Sequence, residues 1–229
     1  MKTRKLIIAV LLAAMCLSLA ACGDKKDKKY QKYVNDLITA NYLGATDEYI
    51  EATGANKSDA EEMYDNNLLR LAGALESYYG LTVNSDDELF GEIKELAKVI
   101  YGAIKYDTGE AYKKGGSYYV DVTIYPIDIL NQTDAEVKAY VESFNERVSA
   151  GEFNNYEKEA YEHEFAGGIV DILKSGVKEM KYADPVTVTV TIVVEGDTYY
   201  ISNDDFIKID DLLIAPYRGG ETSGDTDTD

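Results

Sequence analysis

Two segments of the chain alternate between apolar and polar residues with the period of two that is typical of a half-buried β-strand. They are residues 186–195 and residues 117–125, and a weaker strand precedes the second at 106–112. Glycine-containing turns at Gly115-Gly116 and Gly196-Asp197 make each segment part of a predicted hairpin. We expect both hairpins to join one antiparallel sheet, with four valines facing helices. These are Val120, Val122, Val188 and Val190.

Elsewhere, apolar residues recur every three to four positions, which predicts amphipathic helices. Three helices are predicted to begin at capping-box pairs, namely Ser58 with Glu61, Ser85 with Glu88 and Thr133 with Glu136. Others are predicted from Tyr30 to Tyr42, from about Asn154 to Val177, and after Ser202. The sequence therefore predicts an α+β fold over residues 30–217, with about four antiparallel strands packed against several helices in a single domain.

The first 21 residues have the pattern of a signal peptide, with basic residues followed by an apolar stretch from Leu6 to about Leu19. This stretch is too short to cross a hydrocarbon core, which needs about 20 apolar residues. The stretch leads into Leu19-Ala20-Ala21-Cys22, which resembles the lipobox of bacterial lipoproteins. The resemblance implies that Cys22 is lipidated, becomes the first residue of the mature protein, and holds it at the outer face of the cell membrane.

Two polar segments flank the predicted domain. Residues 22–29 form a lysine-rich tether, in which each lysine close to an anionic leaflet contributes about 1 kcal/mol of attraction. Residues 218–229 are acidic and lack apolar side chains, so we expect a disordered tail. Because Cys16 leaves with the signal peptide and Cys22 is lipidated, the mature chain is predicted to have no disulfide and no cysteine catalysis.

The chain is strongly acidic, with 42 Asp and Glu against 23 Lys and Arg and a net charge of −19. Removing the three basic residues of the signal peptide leaves 20 basic residues and a net charge of −22. Nucleic-acid binding requires Lys and Arg to neutralise phosphates, so we expect no nucleic-acid partner.

Candidate catalytic chemistry is sparse. The single histidine, His163, has Gly167 where a zinc-protease motif needs a second histidine, and its helical position predicts a solvent-facing side chain. Two acidic clusters, Asp86-Asp87-Glu88 and Asp204-Asp205, stand at predicted helix starts, where they complement the helix dipole. The alternating aspartates at 225, 227 and 229 lack the glycine and glutamate of a calcium loop. We therefore predict no catalytic residue, metal site or cofactor.

Tyrosine dominates the aromatic residues, with 20 Tyr against 5 Phe and no Trp. Exposed tyrosines can stack on sugars or pack against a protein partner. The alternative is that they serve as core residues, which is favoured by the inward register of four of them. These are Tyr64, Tyr78, Tyr118 and Tyr140.

The lipobox, the lysine-rich tether, the helices and the Tyr-Tyr-Val hairpin together resemble small lipoproteins of Gram-positive bacteria that contain a domain of unknown function. This resemblance implies a location and no activity. We expect a non-catalytic binding module whose partner is an unknown protein or glycan. The alternatives are a carboxylate-based enzyme acting on glycans and an accessory ligand-binding lipoprotein of an importer.

Overall fold

The structure is a computed structural model that describes residues 15–16, 23–85, 87–196, 198–216 and 218. Its helices are α1 (Gly23–Ile38), α2 (Asp47–Thr53), α3 (Lys57–Tyr79), α4 (Glu88–Gly102), α5 (Ile129–Gln132), α6 (Asp134–Ser149), α7 (Lys158–Gly176) and α8 (Asn203–Asp210). Its strands are β1 (Met15–Cys16), β2 (Lys105–Thr108), β3 (Tyr112–Lys114), β4 (Ser117–Tyr125), β5 (Val186–Glu195) and β6 (Thr198–Ile201). A π-helical turn, Thr39–Leu43, continues α1, and a 3-10 turn, Val177–Glu179, follows α7. The predicted single α+β domain, with an antiparallel sheet packed against helices, is confirmed.

Within that domain the chain forms two compact units, each assembled from segments that are far apart in the sequence. The first unit takes its described residues from Met1–Asn67, Lys105–Ile124 and Pro185–Leu212, and it contains the sheet. The second unit takes its described residues from Leu68–Ile104, Tyr125–Asp184 and Leu213–Asp229, and it is mainly helical. Neither unit can therefore be formed by one continuous segment of the chain.

The sheet has the strand order β1-β6-β5-β4-β2, and β3 also pairs with β4. Strands β4 and β5 are antiparallel, in a register that pairs Val120 with Val190 and Val122 with Val188. Three of these valines are buried and Val188 is half-buried. Both hairpins thus belong to one antiparallel sheet, as predicted. Strand β1, which lies within the predicted signal peptide, pairs with β6.

Helix α1 covers the apolar side of this sheet through tyrosine contacts. The Tyr30 ring centroid lies 4.9 Å from that of Tyr118 and 5.0 Å from that of Tyr199. Tyr33 contacts Tyr199 as well, with 5.2 Å between centroids. The helix begins at Gly23 and not at Tyr30, so the segment predicted as a tether is helical from that residue on. Its role next to the membrane stays a prediction.

The predicted starts of several helices were wrong because a neighbouring polar residue provides the cap. Helix α3 begins at Lys57, where Asn56 Oδ1 accepts a hydrogen bond from the Asp59 N–H at 2.9 Å, and not at Ser58. Helix α4 is capped by Asp87 and not by Ser85, because the extended backbone of Asp87 lets its carboxylate accept the Leu89 N–H at 2.9 Å. Helix α8 begins after Ser202, as predicted, and the Ser202 hydroxyl oxygen accepts the Asp205 N–H at 3.1 Å.

Two further differences concern Thr133 and the start of α7. The Thr133 hydroxyl donates to the Ile129 carbonyl oxygen at 2.8 Å, so it caps no N–H of α6. Helix α7 begins at Lys158, later than the predicted Asn154. The short helices α2 and α5 were not predicted, because each is too short to show a helical period in the sequence.

The second unit has an aromatic cluster where α6 packs against α7. The Phe144 ring centroid of α6 lies 5.1 Å from that of Phe165 in α7 and 4.8 Å from that of Phe153 in the connecting segment. The Arg147 guanidinium lies over the Phe153 ring, 4.8 Å from its centroid. Among the helices that the structure describes, none combines the length and the apolar character needed to cross a membrane.

Candidate binding surface on the sheet

The side of the sheet opposite α1 carries hydroxyl, carboxylate and aromatic side chains. Strand pairing places Tyr119 of β4 opposite Thr191 of β5, Asp121 opposite Thr189, and Thr123 opposite Thr187, while Tyr112 of β3 pairs with Tyr119. We call this surface the outer sheet face and define it by six residues. These are Tyr112, Tyr119, Asp121, Thr123, Thr187 and Thr189.

Side-chain contacts hold the outer sheet face in a defined arrangement. The rings of Tyr112 and Tyr119 are stacked, with 5.8 Å between centroids and 28° between planes. Asp121 Oδ1 accepts hydrogen bonds from the Tyr112 hydroxyl at 3.3 Å and from the Thr189 hydroxyl at 2.6 Å. Tyr112 is nevertheless 39% exposed, so its ring remains available to a partner.

A second cross-strand hydrogen bond extends this arrangement along the sheet. The hydroxyls of Thr123 and Thr187 are 2.8 Å apart. Hydroxyl pairs of this kind stabilise neighbouring strands and fix their side-chain rotamers. The outer sheet face therefore combines two stacked rings, a carboxylate and several hydroxyls, which together can pack on a sugar ring or a protein surface and accept or donate hydrogen bonds.

Of the four tyrosines predicted to point inward, Tyr118 and Tyr140 do so, because Tyr118 packs on Tyr30 and Tyr140 packs on Phe144. Tyr78 is 44% exposed, so its predicted inward position was wrong, and Tyr64, Tyr118 and Tyr140 are only half-buried. Tyr78 lies near the end of α3, beyond Leu75, which is the last buried apolar residue of that helix. The buried tyrosines are Tyr30, Tyr33, Tyr42, Tyr49, Tyr101 and Tyr199. Sequence position alone could not separate the two sets.

His163 lies at the edge of a cleft of about 310 Å³ in the second unit, and its side chain is 50% exposed, as predicted. Its Nε2 atom is 3.4 Å from Asp87 Oδ1. The carboxylates of this cleft have local partners, because Asp87 caps α4, Glu159 accepts from Asn84 at 2.9 Å, and Glu162 lies 3.2 Å from Lys158 Nζ. The His163 side chain therefore belongs to a surface network of ion pairs and hydrogen bonds.

The predicted roles of the acidic clusters at helix starts are confirmed where the structure describes them. Asp87 caps α4, and Asp204 and Asp205 lie in the first turn of α8. Within the described ranges, no group of three acidic, histidine or cysteine side chains could hold a metal ion. Asp86, the aspartates at 225–229 and the predicted lipidation site Cys22 lie outside the described residues.

One solved structure has a fold similar to that of this chain. It is the crystal structure of the candidate lipoprotein ycdA from Bacillus subtilis, with a TM-score of 0.58 and 14% sequence identity. The match covers 84% of this chain and 58% of that one, so this chain spans less than two thirds of the neighbour's length. No protein-family model and no curated protein sequence matches the chain. At this identity the similarity establishes a shared fold.

Proposed function

We propose that the protein is a lipid-anchored lipoprotein on the outer face of the cell membrane and that it acts there as a non-catalytic binding module. The Leu19-Ala20-Ala21-Cys22 motif supports the anchor, because it combines a short apolar stretch, small residues and a cysteine in lipobox order. The description of the structural neighbour ycdA as a candidate lipoprotein agrees with this location.

The observation that carries the binding role is the stacked pair Tyr112 and Tyr119 on the outer sheet face. Tyrosine offers a large contact area with only two rotatable side-chain bonds, so little conformational entropy is lost when a partner binds. The hydrogen bond from Tyr112 to Asp121 further reduces that loss by holding the ring before binding. An extracytoplasmic protein or a glycan fits this surface.

The arrangement of the titratable groups around His163 supports the proposed non-catalytic role. General acid–base catalysis needs an acid and a base held together in a site that tunes their pKa values. In the cleft beside α7 the carboxylates cap a helix or bind neighbouring side chains. We therefore expect incubation with purified cell-wall glycan to release no reducing ends above the rate of a boiled control. Measurable release would favour the carboxylate-based glycan enzyme.

The anchor is tested by mass spectrometry of the N-terminal peptide of the membrane-extracted protein. We expect a mature chain that starts at a diacylglyceryl-modified Cys22, together with loss of membrane partitioning in the Cys22→Ala variant. An unmodified Cys22, or a Cys22→Ala variant that partitions with membranes as the wild type does, would contradict the anchor.

The binding role is tested with two pairs of tyrosine substitutions that remove the same chemistry from different places. The test pair is Tyr112→Ala with Tyr119→Ala, and the control pair is Tyr78→Ala with Tyr156→Ala, since Tyr78 and Tyr156 are 44% and 46% exposed. The probes are purified Gram-positive cell-wall sacculi, measured by cosedimentation, and the proteins of intact cells, measured by quantitative crosslinking.

We expect the test pair to weaken retention of one probe about tenfold or more, because aromatic anchors contribute about 2 kcal/mol or more each at interfaces. The control pair is expected to keep wild-type retention, and unchanged thermal unfolding would show that both variants are folded. Equal retention by the two pairs would contradict a partner on the outer sheet face. Saturable binding of a small solute, unaffected by the test pair, would favour the importer accessory role.

A further inference from the structure

Two lysine side chains lie over tyrosine rings at the place where α1 packs against the sheet. Lys29 Nζ lies 5.1 Å from the centroid of the Tyr199 ring, and Lys113 Nζ lies 5.6 Å from that of Tyr118. Tyr30 touches both of these rings. Lysines from the helix and from the β3 hairpin are therefore connected through one aromatic cluster.

A cleft of about 420 Å³ shows that the two lysine-bearing segments are neighbours. Its lining includes Lys26 and Tyr30 of α1 as well as Gly116, Ser117 and Tyr118, which follow the turn of the β3–β4 hairpin. Lys113 and Lys114 immediately precede that turn and are exposed. We call this surface the basic edge and define it by three residues. These are Lys26, Lys29 and Lys113.

The basic edge places three lysines around one aromatic cluster, beside the carboxylate of Asp27, in a chain whose net charge is −19. Among the residues that the structure describes, Lys26, Lys29 and Lys113 form no ion pair with a carboxylate. Burial, and then the nearby charge of Lys26, lower the pKa of Lys29 below its ordinary value. Like charges held together in this way are stabilised by an anionic partner.

The position of the basic edge in the chain points to the identity of that partner. Cys22 directly precedes Gly23, the first residue of α1. An α-helix rises about 1.5 Å per residue, so Lys26 and Lys29 lie within about 9 Å of the helix start along its axis. An acyl group on Cys22 would place a bilayer surface next to these lysines and next to the adjoining hairpin.

We propose that the basic edge binds the anionic headgroups of the bilayer and thereby orients the first unit on the membrane. The inference rests on the proposed lipid anchor and adds Lys113, which is about ninety residues away from Cys22 in sequence, to the membrane-facing surface. The outer sheet face lies on the opposite side of the sheet from α1, so this orientation leaves it open to an extracytoplasmic partner.

The test measures lysine acetylation in the full, membrane-extracted protein after reconstitution into vesicles. One vesicle preparation contains phosphatidylcholine alone, and the other contains phosphatidylcholine and phosphatidylglycerol in equal amounts. We expect Lys113 to react about fivefold more slowly in the anionic vesicles at low salt, the bias that one lysine near an anionic surface provides. The difference should disappear at high salt, because screening weakens the attraction.

Two single variants complete the test. Lys113→Gln is expected to reduce the protection of Lys29 in anionic vesicles by about half, because the hairpin charge no longer attracts the headgroups. Lys178→Gln removes the same charge from an exposed position in the second unit and should leave that protection unchanged.

The outcomes separate this inference from the proposed function. An acylated Cys22 together with equal Lys113 reactivity in both vesicle types would overturn the inference alone. An unmodified Cys22 would overturn the proposed anchor and the inference with it.

Discussion

Two asparagines in the first unit, Asn41 and Asn67, are buried and hydrogen-bonded to each other. Asn67 Nδ2 donates to the Asn41 side-chain oxygen at 3.0 Å and to its carbonyl oxygen at 3.1 Å. Asn41 Nδ2 in turn donates to the Leu37 carbonyl oxygen at 2.7 Å. Buried amides are tolerated only when their polar atoms have such partners, so the pair fixes the position of α3 against the π-helical turn.

We expect Asn67→Ala to lower the free energy of unfolding by about 1–3 kcal/mol, because it leaves the buried Asn41 acceptors without this donor. The adjacent Asn66 is exposed on the same helix, and Asn66→Ala should change the free energy by no more than about 0.5 kcal/mol. Urea unfolding of the two variants measures the difference. Equal destabilisation by both substitutions would show that the asparagine pair has no special role.

The first turn of α8 offers a similar comparison between neighbouring aspartates. Asp205 is buried, and its carboxylate accepts the backbone N–H of Thr191 in β5 at 2.9 Å and the Lys208 ammonium at 2.6 Å. Asp204 is exposed in the same turn. Both aspartates interact favourably with the helix dipole, but only Asp205 also connects the helix to the sheet.

We therefore expect Asp205→Ala to cost about 2–4 kcal/mol of unfolding free energy and Asp204→Ala about 0.3–1 kcal/mol. The larger cost combines the lost dipole interaction with an unpaired backbone N–H in the sheet. Chemical denaturation, followed by far-UV circular dichroism, provides the measurement. If Asp204→Ala lowered the unfolding free energy as much as Asp205→Ala, the helix dipole alone would account for the effect and the contact with β5 would contribute nothing.

At the scale of the elements, the contact between α6 and α7 depends on a single glycine. A Cβ atom at Gly168 would overlap the Tyr140 ring, whose hydroxyl donates to the Glu164 carbonyl oxygen at 3.0 Å. A Cβ atom at the preceding Gly167 would have no atom within 4 Å. The two glycines share one helix and differ only in what they face.

Substituting each glycine with alanine should therefore change stability in opposite directions. Gly167→Ala is expected to stabilise the protein by about 0.5–1 kcal/mol, because alanine is the better helix former. Gly168→Ala is expected to destabilise it by about 1–3 kcal/mol, because Tyr140 must leave its place between the helices. Thermal unfolding of both variants measures these changes in stability. A stabilising effect of Gly168→Ala would show that Tyr140 does not hold α6 against α7.

The elements that could be predicted from the sequence are those whose pattern is local. Strands β4 and β5 follow from strict alternation, and the ends of α3 and α6 follow from Gly80 and Gly151, which adopt positive φ angles. The helix caps could not be predicted, because several short polar residues flank each start and only the backbone conformation selects between them. Asn56 and Asp87 therefore cap α3 and α4, and Ser58 and Ser85 do not.

The candidate sites also contain residues whose position the local sequence pattern predicts and residues whose position it does not. Alternation in β4 and β5 places Tyr119, Asp121 and the threonines on the outer side of the sheet, so that part of the surface could be predicted from the sequence. The contribution of Tyr112 depends on the β3–β4 register, and that of Lys113 to the basic edge depends on the contact between Tyr30 and Tyr118. The first depends on the register of a hairpin and the second on a contact between distant segments, and neither follows from the alternation of residues within one strand.

At the scale of the whole molecule, buried tyrosines set a limit on stability at high pH. Burial raises the pKa of Tyr33 and Tyr199 well above the ordinary value near 10, and it raises the pKa of Tyr79 to about 12. In the unfolded chain these phenols lose their protons above pH 10, whereas in the folded chain they keep them. The stability contributed by these groups is therefore present below pH 10 and is lost as the pH rises above it.

We expect the free energy of unfolding to fall above pH 10 by up to about 1.4 kcal/mol per pH unit for each buried tyrosine. Urea unfolding at a series of pH values measures the slope, and absorbance at 295 nm follows ionisation. In guanidinium all 20 tyrosines should titrate together near pH 10. Tyr199→Phe keeps the ring and should reduce the slope, and a slope unchanged by this substitution would contradict the assignment.

The pairing of β4 with β5 also determines when the protein can begin to fold. A ribosome makes roughly 60 residues between the end of β4 at Tyr125 and the start of β5 at Val186, which takes roughly 3–12 s at about 5–20 residues per second. During that interval Val120, Val122 and Ile124 lie on a strand whose β5 partner has not yet been synthesised. We therefore expect the nascent chain to aggregate less when a chaperone or immediate export protects this strand until β5 has been synthesised.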